Sequence, residues 1–127
     1  MIDHVSIHVT DVARARDFYA KALAPTGYTV IRQYPSAEQP VAVGLGIGGK
    51  PDLWLMQGNP AQQQHVAIRA QTRKVVAAFF EAGLAAGGKD HGGPGVRPHY
   101  HEAYYGAFVL DPDGNNVEVV CHEPYIE

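Results

Sequence analysis

His4-Val5-Ser6-Ile7-His8 returns in the second half of the chain as His65-Val66-Ala67-Ile68-Arg69. Each copy alternates apolar and polar residues, the period of a strand with one buried face. Val5, Ile7 and Val9 share one face, and His4, Ser6 and His8 share the other. The same offset lays Phe79 on Phe18 and Leu84 on Leu23, so helical segments after the two strands also match in phase. Thr10 or Asp11 can cap a helix from Val12, in which Val12, Ala15, Phe18, Tyr19, Ala22 and Leu23 recur at helical spacing. Pro25-Thr26-Gly27 ends it. Strands are expected over 28–33, 41–47 and 53–57, giving βαβββ.

The second half repeats the order. Thr72 caps a helix over 73–84, Gly87-Gly88 stops it, and strands follow over 104–110 and 117–122. Asp111-Pro112-Asp113-Gly114 joins these strands as a tight turn, with Pro setting φ and Gly accepting a left-handed backbone. Residues 90–101, rich in Gly and Pro, are expected to form a loop or an irregular strand. The fold class is therefore α+β: one domain over 1–123, built from repeat 1 (1–58) and repeat 2 (64–123).

Composition narrows the functions. The chain has 127 residues, 46% hydrophobic and 18% charged, with a formal net charge of −3. That suits one packed domain rather than a disordered chain. Ten Lys and Arg scattered singly exclude a nucleic-acid stripe. No apolar run is long enough to span a membrane, and residues 1–4 do not begin a secretory signal. A single cysteine, Cys121, makes no internal disulfide and fits a reducing cytoplasm.

Glu118 is the residue that points to chemistry. Flanked by Val117 and Val119, it lies opposite the apolar face, and a carboxylate there is costly unless paired or metal-bound. His4 and His65 occupy equivalent positions of the repeat. If a pseudo-twofold relates the two halves, these histidines approach each other and Glu118 completes two histidines and a carboxylate, the composition of a facial triad.

His4-x-Ser-Ile-x-Val-x-Asp, His65-Val-Ala-Ile and Ala107-Phe108-Val-Leu-Asp111-Pro112-Asp113-Gly114-Asn115-Asn116-Val-Glu118 resemble the vicinal oxygen chelate superfamily. That superfamily includes glyoxalase I, extradiol dioxygenases, fosfomycin-resistance enzymes and bleomycin-binding proteins. The resemblance implies paired βαβββ units forming a curved mixed sheet around a cavity. It also implies a divalent metal (Fe, Mn, Ni or Zn) on His4, His65 and Glu118, with substrate chelating through two neighbouring oxygens. Trp54 stands where glyoxalase I carries a glutamate ligand, and indole does not ligate. Extradiol dioxygenases usually place tyrosine at the position of Phe108.

His101 and Tyr104 are the expected proton-transfer groups, with His99 a second candidate. His8, Trp54, Arg69 and Phe108 are expected to line the substrate pocket, Arg69 facing a substrate carboxylate. His122 falls nearer the sheet end, His91 on the loop surface, and Cys121 in the core. The expected activity is a metal-dependent dioxygenase, lyase or isomerase acting on a small molecule. The alternative is a metal-free drug- or metabolite-binding protein. A homodimer is expected, the units pairing within one chain or exchanged between two.

Overall fold

Strict alternation opens each half as a short strand, and capped amphipathic runs follow as helices. The computed structural model describes residues 1–123. In the first unit β1 is Val5–Val9 and α1 is Val12–Ala22. Asp11, not Thr10, is the cap, its side chain accepting from the Arg14 N–H. A single 3-10 turn over Ala24–Thr26 leads to β2 (Thr29–Tyr34), β3 (Ala42–Ile47) and β4 (Lys50–Gln57). The second unit holds β5 (His65–Arg69), α2 (Arg73–Ala85), β6 (Lys89–Asp90), β7 (Gly95–Val96), β8 (Tyr105–Leu110) and β9 (Asn116–Cys121). Thr72 caps α2 through the Val75 N–H.

Two details depart from the periodicity. The loop expected over 90–101 lends two short pieces, β6 and β7, to the edge of β8. Tyr104 lies outside β8, because its carbonyl accepts the Arg97 N–H and closes the preceding loop.

Each unit makes its own mixed sheet, ordered β1-β4-β3-β2 and β5-β9-β8-β6, with β7 also on β8. The register repeats. Ser6 lies beside Trp54 as Ala67 lies beside Glu118, and Gly44 faces Trp54 as Phe108 faces Glu118. The mixed β arrangement expected from the two repeats is built as two sheets, one per unit, with no strand hydrogen bonds between β1 and β5. At that seam the Gln64 side chain binds both the N–H and the carbonyl of His8.

Both helices pack on the same side, and the core runs continuously between the units. Ile7, Val9, Phe18, Tyr19, Leu53 and Leu55 meet Ile68, Val76, Phe79, Val109, Val117 and Val119. Each such side chain contributes about 1.5–3 kcal/mol of burial free energy. The opposite faces of the sheets are left uncovered, and the polar residues of β1 and β5 lie there.

Tyr19, fully buried, donates to Asp111 Oδ2 at 2.7 Å. Burial and then the Asp111 charge push its phenol well above 10.0. A raised folded value favours the neutral form, so this stabilisation is intact at neutral pH and fades as pH rises beyond the unfolded value. Urea melts at about pH 8 and about pH 11 should show an alkaline loss in wild type that is smaller in Tyr19→Phe. An equal loss in both would place the alkaline sensitivity elsewhere.

Candidate functional site

Glu118 is central. It is 3% exposed, on β9, and opens onto a cavity of ≈ 680 Å³ lined by His65, His99, Tyr100, His101, Tyr104, Phe108 and Asn116. Gly106 makes room for it, since a Cβ there would lie 3.3 Å from Glu118 Oε2 and from the Tyr104 ring. The Tyr104 hydroxyl donates to Oε2. His65 Nε2 faces Oε1 at 3.2 Å. Phe108 stacks against the His65 ring, with centroids 6.5 Å apart.

Proton accounting at His65 is informative. Its Nδ1 lies 3.1 Å from the backbone carbonyl of Asn116. A carbonyl only accepts, so Nδ1 carries a proton, and whenever Nε2 carries none it presents a lone pair. That lone pair faces a carboxylate oxygen. Two acceptors at this distance need a shared proton or a cation between them. A carbonyl-anchored imidazole beside a carboxylate is the arrangement of metal-ligating histidines. With bonds of about 2.1 Å, two ligands at right angles on one ion stand roughly 3 Å apart, so the pair fits.

Burial and then the Glu118 hydrogen bond and charge raise the Tyr104 phenol above its ordinary value, with Arg97 opposing weakly. Tyr104 is therefore a neutral donor at physiological pH. His101 is less free. Its Nδ1 accepts the Ala103 N–H at 3.1 Å, so its Nε2 holds the proton and donates it to His122 Nδ1 at 2.7 Å. His122, placed by parity near the sheet end, thus backs His101 and lies edge-on to Tyr104.

Within one chain His4 does not join His65 and Glu118 at this site. It lines separate concavities, one of them with Ser6, Tyr34, Ala42, Trp54 and Met56. Among the described residues, no three His, Cys, Asp or Glu side chains converge to hold a metal ion. The reason is the course of the seam. β1 ends beside Gln64, at the start of β5, and His4 lies beside Val66, Ala67 and Ile68. The strands thus run past each other in opposite directions, and equivalent residues at their starts diverge. His4 Nδ1 instead meets Asp3 Oδ2 at 2.7 Å, and this contact, then Lys50, holds the Asp3 carboxyl below its ordinary range.

The remaining candidates divide. Trp54 stacks on Tyr34 at 6.1 Å and lies over Gly44, where a Cβ would come within 2.9 Å of its ring. His8 and Arg69 are exposed on the uncovered faces, outside both concavities. Phe108 is a wall, and Cys121 is fully buried. Sequence reasoning missed Arg97, whose guanidinium lies 5.4 Å over the Phe108 ring. His91 lies exposed in the loop, as expected, and with Arg97, Tyr100, Phe108 and Asn116 it lines an adjoining lobe. A lone arginine within Gly92-Gly93-Pro94-Gly95-Val96-Arg97 was the signal available. Glycines allow close approach of a flat cation.

A family model described as Glyoxalase/Bleomycin resistance protein/Dioxygenase superfamily matches residues 1–119. No curated protein matches the chain by sequence. Similar solved structures include a glyoxalase/bleomycin resistance protein from Albidiferax ferrireducens T118, at 24% identity and TM-score 0.77, covering 94% of this chain and 97% of that one. TioX from Micromonospora sp. ML1 is 19% identical at TM-score 0.72, covering 94% and 96%. Lactoylglutathione lyase from Agrobacterium tumefaciens is 18% identical at TM-score 0.71, covering 95% and 92%. At these identities the likeness speaks for the fold.

Proposed function

The chain belongs to the Glyoxalase/Bleomycin resistance protein/Dioxygenase superfamily, and from that premise we propose that it is a divalent-metal-dependent enzyme acting on a small molecule with two adjacent oxygen atoms. The observation that carries this reading is His65 Nε2 facing Glu118 Oε1 at 3.2 Å with Nδ1 turned to a backbone carbonyl. His65 and Glu118 would hold Fe, Mn, Ni or Zn, and His4 of a second copy would complete the triad. The ion, when bound, supplies positive charge against an anion developing on a substrate oxygen.

The chain's own residues do the rest. Phe108 and the Asn116 carbonyl fix the plane and tautomer of His65. Tyr104 holds a proton at its hydroxyl beside Glu118 and is the better placed group to exchange one with substrate. His101 acts only by releasing His122. Tyr100 and Phe108 give the cavity aromatic walls, to which Trp54 from a second copy's sheet would add. Cys121, a free buried thiol, is compatible with the reducing cytoplasm, where we place the protein.

A second reading rests on the same carboxylate. Tyr104 and a protonated His65 saturate both oxygens of Glu118 without an ion, and the walls are aromatic, as in a metal-free binding protein for a drug or metabolite.

Mixing separates these. His4→Ala and His65→Ala chains should each lose metal binding alone. Unfolded and refolded together in equal amounts, they should regain roughly a quarter of the wild-type sites, because about half the dimers are mixed and each of these pairs an intact His4 with an intact His65 and Glu118 at one of its two sites. Metal content of the mixture is the readout. Wild type without divalent affinity would favour the binding protein, and a mixture that regains nothing would place the site within one chain.

A further inference from the structure

The Glu118 cavity opens sideways into the lobe of ≈ 320 Å³ that holds His91 and Arg97, the two sharing Tyr100, Phe108 and Asn116. Arg14 and Arg16 pair with Asp113 and Asp17. Arg32, Arg69, Arg73 and Arg97 pair with no carboxylate among the described residues, and of these Arg97 is the one that lines this lobe. Its guanidinium donates one hydrogen bond, from Nη2 to the Gly93 carbonyl at 2.8 Å. A guanidinium carries five N–H donors, so most of its capacity is unspent. Asp90, on the same segment, is turned to the Gly92 N–H.

The cation is also held in place. Its Cζ lies 5.4 Å from the Phe108 ring centroid, and a Cβ at Gly92 or Gly95 would come within 3.3 or 3.0 Å of its terminal nitrogens. Its backbone N–H donates to the Tyr104 carbonyl at 2.7 Å, tying it to the residue that binds Glu118. A fork pre-set in this way recognises flat oxyanions at little conformational cost. At the junction of the lobes, Asn116 Oδ1 is buried and has no hydrogen-bond partner. A buried acceptor without a donor is uncommon.

We infer that Arg97 is the anchor for a carboxylate of the substrate, so that the ligand is a small carboxylic acid lying across Phe108 from Arg97 to the Glu118 chamber. This rests on the proposed function for the identity of the chamber. The carboxylate role expected of Arg69 passes to Arg97, since Arg69 lies exposed outside both lobes.

Benzoate and benzamide are the probes, the same flat ring with and without the charge. They are titrated into wild type, Arg97→Gln, Arg97→Lys and Arg69→Gln, with and without Zn(II), and followed by amide NMR shifts. Wild type should bind benzoate on the order of tenfold more tightly than benzamide, with shifts at Gly92, Gly93 and Tyr104. Arg97→Gln should bring the ratio near unity while benzamide binding holds. Arg97→Lys should keep part of the preference, and added salt should weaken benzoate alone. Wild type without a preference, or without benzoate binding at millimolar concentrations, overturns the inference. So does a preference that survives Arg97→Gln or disappears in Arg69→Gln. If Arg97→Gln misfolds, the salt dependence and the location of the shifts in wild type decide. If the metal reading fails, zinc changes neither ligand while the Arg97 dependence stands; if the anchor fails, the reverse holds.

Discussion

Glu118→Gln is expected to weaken Mn(II) or Ni(II) binding by at least tenfold, and on the order of a hundredfold, while leaving the metal-free protein at least as stable as wild type. The two halves of this result have separate causes. A neutral amide oxygen is a poorer ligand than a carboxylate and leaves the ion's charge less compensated. In the metal-free protein the substitution removes a charge that is only 3% exposed, and so removes its desolvation cost. The amide also suits its neighbours. Its oxygen accepts from the Tyr104 hydroxyl, and its N–H donates to the His65 Nε2 lone pair that otherwise faces a carboxylate. Calorimetric titration and a thermal melt on the same samples measure both. Undiminished metal affinity would remove Glu118 from the ligand set. A large loss of stability with no change in metal binding would make His65–Glu118 a structural ion pair and favour the metal-free reading.

Glu118 was legible in sequence because it depends on a local rule. Alternation with Val117 and Val119 sends its side chain away from the core, and its burial then needs only a covering wall. The repeat was legible for a similar reason, since two short strands with the same alternation form the same register with their partners. What alternation cannot supply is the relation between the units. His4 and His65 are equivalent in the repeat, yet the bridge from Gln64 to His8 sets β1 and β5 running past each other, and the histidines line different concavities. That bridge is a side chain to backbone contact across 56 residues, with no periodicity to announce it.

The same limit hid Arg97 and the pairing of His101 with His122. Both lie on or against the segment between β7 and β8, where the backbone is organised by single hydrogen bonds such as Arg97 to Tyr104 rather than by a ladder. Trp54 was read as an apolar wall without its support. The absence of a side chain at Gly44, which lies opposite Trp54 as Phe108 lies opposite Glu118, leaves space for the indole. A glycine in a strand signals close approach, but which ring approaches is a property of the pair.

Asp111→Ala is expected to cost about 3 kcal/mol or more in unfolding free energy, and so to lower the melting temperature by roughly 10 °C. The sequence presents Asp111 as the first residue of a turn, and the turn is real, with Gly114 at φ 86. Its larger role is between the units. Oδ1 accepts the backbone N–H of Asp113 and Asn115, while Oδ2 accepts the Asn115 amide and, from α1 of the other unit, the Tyr19 hydroxyl. At 4% exposure no water replaces these bonds easily. Truncation strands the Tyr19 hydroxyl among Phe18 and other core residues, and each buried donor left unmatched costs about 1–3 kcal/mol. Asp113 adds a second strap, accepting from the Thr10 N–H and hydroxyl. The Asp111-Pro112-Asp113-Gly114-Asn115 turn is therefore a clasp joining the units, and it leads directly into β9, which carries Glu118. A double-mutant cycle with Tyr19→Phe isolates the clasp. Tyr19→Phe should cost much less in the Asp111→Ala background than in wild type, because the hydroxyl there has already lost its acceptor. Additive costs in urea melts would mean that the Tyr19–Asp111 bond carries no stability, and that the apolar core and the Thr10–Asp113 strap hold the units without it.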